Sequence, residues 1–217
     1  MTSTTALSVP GPSDDARRPA PFVLDPVAQE ALFRSARSVR AWSPEPISDA
    51  TIEQAYELLR WAPTAINSSP LRLLLVRTPA ARERLAGHVT EGNRERVRTA
   101  PLSLVLAADV DWHRHLPTLA PHRVDAVAHL EADPEGRERT ARANAWLQVG
   151  YLIVALRAVG LDVGPMGGMD AAAIDAENFV GSGWRSLMVV NVGWPTPDHG
   201  AFPRAARLEP GQALRTA

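Results

Sequence analysis

Cations set beside hydroxyls recur along this chain. Arg37, Ser38 and Arg40 lie close together early, Arg96 stands midway, and Arg204 and Arg207 come late. Guanidinium forks with a neighbouring hydroxyl suit a phosphate and an attached ribityl chain; taken singly, each is equally an ordinary surface arginine. A second candidate is Leu161-Asp162-Val163-Gly164-Pro165-Met166-Gly167-Gly168-Met169-Asp170. Paired glycines carry no Cβ, so backbone N–H groups there can approach a flat redox ring closely. The plain alternative is a tight αβ connection with nothing bound. His113-x-His115, with His122 and His129 beyond, raises a metal, but no carboxylate or cysteine spacing completes a site. A lid or solvated loop is the better reading of that stretch. No G-x-G-x-x-G follows a strand, and no P-loop, C-x-x-C or H-E-x-x-H is present. The chain has no cysteine, which excludes disulfides, Fe–S ligation and thiol nucleophiles.

Helices and strands must position these groups. The most apolar helix-length segment runs from Ala143 to Val159, where only Asn144, Gln148 and Arg157 are strongly polar. It reads as the buried part of a helix from Arg137 to Val159. Gly160 would stop that helix in the left-handed region, and Asp170 would cap a short helix over 171–175. Asp25-Pro26 opens a helix to about Arg37. Ser48 caps another, with Ile52, Ala55, Leu58, Leu59 and Ala62 on one face, and a short helix covers 80–86. Buried strands are expected over 71–76, 102–108 and 186–192. Between these elements, 63–70 is a proline-bounded loop, 92–96 a polar turn and 109–136 an irregular stretch. Strands separated by helices without repeated βαβ spacing predict an α+β fold around a short mixed sheet.

With 45% hydrophobic residues, the chain can bury a sizeable core as one domain. That domain is expected over 25–217, after a Thr/Ser/Pro-rich disordered tail at 1–24. A formal net charge of −1 gives no reason to expect nucleic acid or an anionic membrane as partner. The start of the chain lacks an apolar signal region, and the apolar helix is too short and too interrupted for a membrane span. A soluble, cytoplasmic protein is expected.

The chain resembles the FMN-dependent nitroreductase superfamily from about Pro26 onwards. The matching pieces, in the family's order, begin with Arg37-Ser38-Val39-Arg40-Ala41-Trp42 and Pro63-Thr64-Ala65-Ile66-Asn67-Ser68-Ser69-Pro70. Gly92-Asn93 with Arg96 follows, then Gly160 to Gly168, and last Gly193-x-Pro195 with a late Arg207. Trp61-Ala62-Pro63-Thr64, Gly92-Asn93, Leu116-Pro117 followed by Pro121-His122, and Gly164-Pro165-Met166 give a closer likeness to the branch holding the malonic semialdehyde reductase of pyrimidine catabolism.

The resemblance implies a nitroreductase-like homodimer, with the long helix buried at the interface and FMN in two interface sites. It implies that Ser38 and Arg207 hold the FMN phosphate, and that Arg40 and Arg96 lie near the pyrimidine edge. Asn67 and Asn93 would bond flavin polar atoms, with Thr64 and Ala65 contributing backbone. Pro165 and Met166 would cover one ring face, beside Gly168, and the Gly167 N–H would point at the redox nitrogen. The family usually carries Arg two places before the serine, where this chain has Ala36, so phosphate binding shifts toward Arg37 or Arg204. The activity implied is ping-pong hydride transfer from NADH or NADPH through FMN to a small carbonyl, nitro or quinone acceptor, with no catalytic side chain. A non-catalytic flavin-binding dimer, a redox sensor or scaffold, is the alternative.

Overall fold

The computed structural model describes residues 23–198 and 202–217. The expected disordered tail therefore falls almost wholly outside the described residues. Helix starts follow local chemistry. Asp25 accepts the Ala28 N–H at 2.7 Å to open α1 (Pro26–Gln29), which continues as a π-helical turn, Glu30–Arg34. Ser48 accepts the Thr51 N–H at 3.1 Å to cap α2 (Asp49–Leu59). After β1 (Leu71–Val76), Thr78 caps α3 (Pro79–Gly87), and α4 (Glu91–Thr99) leads into β2 (Leu102–Asp109). Short helices follow, α5 (Leu116–Leu119) and α6 (Ala126–Ala132), before the 25-residue α7 (Pro134–Ala158). The C-terminal part comprises β3 (Asp162–Met166), α8 (Ala171–Asn178), β4 (Trp184–Gly193) and α9 (Pro210–Ala213).

The four strands pair in the order β1-β2-β4-β3. All three pairings are antiparallel, which corrects the expected mixed sheet. Among the described residues parallel pairing is limited to one bridge, Ser38 with Val163, where the loop after α1 meets β3. β2 is buried along its whole length, and its alternation splits the core. Leu102, Leu104, Leu106 and Ala108 face the cluster that includes α2 and α7, while Val105 and Ala107 face that of α3, α4 and α8. The sheet thus lies between two helical layers.

Three readings of the sequence change. The Gly-Pro stretch after α7 is a strand and not merely a connection: β3 is an edge strand, where Pro165 is tolerated. The expected polar turn at 92–96 lies inside α4. That helix buries only Val97, so it writes no apolar stripe into the sequence. The 109–136 stretch is a chain of short helices, each too brief to show a helical period. By contrast, α7 ends as expected. Gly160 has φ +82°, its N–H reaches the Arg157 carbonyl at 2.9 Å, and Leu161 N–H reaches the Leu156 carbonyl at 3.0 Å. α7 is not buried all round within one chain. Trp146, Leu147 and Tyr151 are 47%, 43% and 46% exposed on its outer face.

Candidate functional site

The predicted site residues fall into three groups. The first surrounds a cavity of about 360 Å³ between the end of α1 and the C-terminal segment. Arg37, Ser38, Arg204 and Arg207 line it, together with Ala36 and Phe202. Backbone carbonyls orient the arginines: Arg37 bonds the Phe202 carbonyl, and Arg204 bonds those of Arg34 and Ala36. The Ser38 hydroxyl has no protein partner among the described residues, so it is open to a ligand oxygen. Arg157, from the last turn of α7, also lines this cavity. Its Nε is buried without a partner. Burial pushes its pKa below the ordinary arginine value, while Asp162 pulls the other way. A partly buried cation with an unused donor favours an anion alongside it.

The second group lies on β3 and α4. The Val39 N–H bonds the Val163 carbonyl at 3.0 Å, which ties the Arg37–Arg40 loop to β3. Arg96 Nη1 donates to Asn93 Oδ1 at 3.0 Å, and Asn93 Nδ2 reaches Thr90 Oγ1 at 3.1 Å and the Gly168 carbonyl at 3.4 Å. Asn93 is thereby spent on joining α4 to the glycine pair. Desolvation, then the nearby Arg40 charge, lower the Arg96 pKa, and the Arg96 Nε is buried and unpartnered. Arg40 stacks over Phe202, 4.7 Å from the ring centroid. The Met166 side chain packs into the core between the sheet and α8, so only its backbone is left to face a ligand. Pro165 is partly exposed.

Each glycine here has its own reason. A Cβ on Gly164 would sit 2.6 Å from the Val39 carbonyl oxygen, and one on Gly168 would sit 2.7 Å from Thr90 Oγ1. Gly167 has neither a positive φ nor any heavy atom within 4 Å of a built Cβ. Its N–H donates to no acceptor among the described residues. Nothing in the chain itself requires glycine there, and the open donor fits a flat ligand approaching the backbone.

The third group is the 64–69 loop. Ile66, Asn67 and Ser69 have φ of 48°, 54° and 39°. Left-handed conformations of non-glycine residues cost on the order of 1–3 kcal/mol each and gather at functional sites. The Ala65 N–H donates to Asn144 Oδ1 at 2.7 Å, and the Ala65 carbonyl accepts the Ser68 N–H at 3.0 Å. Thr64 Oγ1 accepts the Ser69 N–H, and Asn67 Nδ2 donates to the Leu119 carbonyl at 2.7 Å. The Ala65 amide is therefore not available to a ligand, whereas Asn67 Oδ1 takes no donor among the described residues. No hydrogen bond joins this loop to either arginine group among the described residues.

The histidines diverge. His113 is wholly buried and bonded to Glu131, whereas exposed His115 lies 3.6 Å from Asp109. Among the described residues no cluster of His, Cys, Asp and Glu could hold a metal ion, and no helix is long and apolar enough to cross a membrane.

The nitroreductase family model matches residues 33–194, which span all three groups except the C-terminal arginines. The chain belongs to the nitroreductase family. A relative named "Putative NADH dehydrogenase/NAD(P)H nitroreductase" from Streptomyces coelicolor is 45% identical over 195 residues, covering 90% of this chain and 98% of its own. One of the same name from Leptothrix cholodnii is 45% identical over 186 residues, covering 86% and 94%. Among solved structures, a "putative nitroreductase in complex with FMN" from Exiguobacterium sibiricum superposes with a TM-score of 0.73. It is 20% identical and covers 86% of this chain and 95% of its own. A nitroreductase family protein from Streptococcus pneumoniae superposes with a TM-score of 0.71 at 18% identity, covering 86% and 98%. These likenesses carry the nitroreductase fold.

The sequence did not single out three residues that the structure brings to these groups: Arg157, Asn144 and Gln148. All three are the polar interruptions of the apolar α7 segment. That interruption was the available signal, since a buried polar side chain needs a partner.

Proposed function

We propose that this chain is an FMN-dependent NAD(P)H oxidoreductase that passes hydride to a small carbonyl, nitro or quinone acceptor. The observation that carries the reading is the convergence of Arg37, Ser38, Arg157, Arg204 and Arg207 on one cavity, joined through the 37–40 loop to β3, which ends just before Gly167. Such a cavity suits a phosphate, and the open N–H of Gly167 suits a ring. The names of the relatives and the FMN-bound neighbour support the same choice.

FMN, when bound, supplies hydride chemistry, and the protein supplies position and charge. Arg37, Ser38 and Arg207 hold the phosphate, with Arg204 and Arg157 adding positive charge. Arg40 and Arg96 would set positive charge beside the flavin, and Gly167 would donate its N–H to it. Pro165, the Met166 backbone and Gly168 would flank the flavin on one side. Asn67 Oδ1 accepts from the ring, Thr64 shapes the loop beside it, and Asn93 holds Arg96 in place. NAD(P)H and the acceptor use the same space in turn, so no side chain acts as a nucleophile.

Among the described residues the 64–69 loop and the arginine groups share no bond within one chain, and α7 exposes an aromatic outer face. Both features support a homodimer in which each site draws on two protomers, the α7 face being buried between them. The finer assignment of the acceptor, a small carbonyl acid of the malonic semialdehyde type in a cytoplasmic enzyme, rests on the motif likeness around Leu116-Pro117 and Pro121-His122.

The test is spectroscopic. Purified protein with FMN should bleach the flavin absorbance on addition of NADH or NADPH, and an acceptor panel should restore it. Binding without bleaching would leave the sensor or scaffold reading. Arg37→Leu should weaken FMN at least tenfold and leave riboflavin, which lacks the phosphate, unchanged. Equal losses for both flavins would refute the phosphate assignment.

A further inference from the structure

Asn144 and Gln148 sit one turn apart on α7, so their side chains share a face. Gln148 is buried, and Asn144 is half-buried at the flank of that face, where the exposed side of α7 with Leu147 and Tyr151 begins. Both carboxamides reach the same loop. Asn144 Oδ1 accepts the Ala65 N–H at 2.7 Å at one end, and Gln148 Oε1 accepts the Leu71 N–H at 2.9 Å at the other. Gln148 Nε2 also reaches Ser69 Oγ at 3.3 Å, and Asn144 Nδ2 is anchored to the Thr140 carbonyl at 2.9 Å. Between the two staples lie all three left-handed non-glycine residues of the described chain. Such a loop relaxes unless its surroundings hold it.

We propose that Asn144 and Gln148 are positioning residues that clamp the 64–69 loop in the strained shape presenting Asn67 Oδ1 to the flavin. The proposal rests on the FMN reading above. It gives two of the three polar breaks in the apolar helical segment a task beyond core packing. Because α7 also exposes Trp146, Leu147 and Tyr151, the clamp fixes the loop to the helix that a second protomer would cover.

The test uses the full-length protein with two variants. Asn144→Leu keeps size and removes the acceptor; Asn144→Asp keeps an acceptor oxygen for the Ala65 N–H. Amide hydrogen exchange of the peptide spanning 64–71 is compared with that of 102–109 as an internal reference, and FMN affinity is read from quenching of flavin fluorescence. Asn144→Leu should speed exchange in the loop at least tenfold, leave 102–109 unchanged and weaken FMN about tenfold, about 1.4 kcal/mol. Asn144→Asp should restore most of both. Gln148→Glu, which keeps its acceptor, against Gln148→Leu gives the same comparison at the other staple. Unchanged loop exchange in Asn144→Leu would overturn the clamp. Faster exchange with unchanged FMN affinity, or a lowered melting temperature as the sole effect, would reduce these residues to a structural role and overturn the proposal. Wild-type protein that binds no FMN would refute the functional reading and the ligand half of this one, while the exchange arm would still decide whether the loop is clamped.

Discussion

Alanine in place of each glycine of the β3 end separates what the chain needs from what a ligand needs. At Gly164 the new methyl carbon would lie 2.6 Å from the Val39 carbonyl oxygen, beside the bridge between that loop and β3, and 3.1 Å from the ring of Trp42, which is bridged to Pro195. Overpacking of this kind costs about 1–3 kcal/mol. In a domain of this size 1 kcal/mol moves the melting temperature by about 2–4 °C, so Gly164→Ala should melt roughly 2–12 °C lower with or without FMN. At Gly167 the methyl meets no heavy atom within 4 Å, and φ lies outside the left-handed region. Alanine there narrows the unfolded ensemble and should stabilise the ligand-free protein by about 0.4–1 kcal/mol. Its effect should emerge only with FMN bound. A ring against the backbone meets the methyl, and a tenfold weaker Kd removes about 1.4 kcal/mol of ligand-induced stabilisation at fixed FMN. The assay is thermal melting of wild type, Gly164→Ala and Gly167→Ala, each without FMN and with FMN at about 100 times the wild-type Kd. A ligand-free Gly167→Ala that melts below wild type would mean the chain itself needs that glycine. An undiminished FMN increment would mean that no ring approaches it. Either result refutes the reasoning.

Trp146→Glu, which puts a charge on the exposed apolar face of α7, should convert a dimer to a monomer in sedimentation at micromolar concentration, since a buried aromatic anchor is worth about 2–4 kcal/mol. A wild-type protein that is a folded, FMN-loaded monomer would refute the interface. Glu131→Gln addresses pH. The hydrogen bond from His113, with Arg137 and Arg114 nearby, holds the Glu131 carboxyl below its ordinary 4.5. A depressed carboxylate adds stability above its unfolded-state pKa and loses it as pH falls through the folded-state value. The variant should therefore melt below wild type at neutral pH, with the gap closing as pH drops below about 4.5; a pH-independent gap would refute the coupling.

What the sequence determined by itself was what depends on near neighbours. Asp25, Ser48 and Asp170 cap helices because each reaches an N–H three residues ahead, and Gly160 ends α7 because a left-handed residue is needed within one turn. The apolar runs that became β1, β2 and most of β4 were legible for the same reason: burial on a sheet face is written into consecutive residues. The order of the motifs located the arginines, the 64–69 loop and the glycine pair. Tertiary structure decided how these pieces meet. β3 was hidden because Gly164 and Pro165 break a strand pattern, and only its place at the sheet edge, under the Val39 carbonyl, makes both acceptable. Arg157 and Arg37 are 120 residues apart yet line one cavity, and Asn144 meets Ala65 across 79 positions. Local propensity says nothing about such pairs, because the cost of burying an unpaired guanidinium or carboxamide is felt only once the chain has folded around it. For the same reason the 64–69 loop reads as an ordinary turn in sequence, while its left-handed backbone exists only against α7.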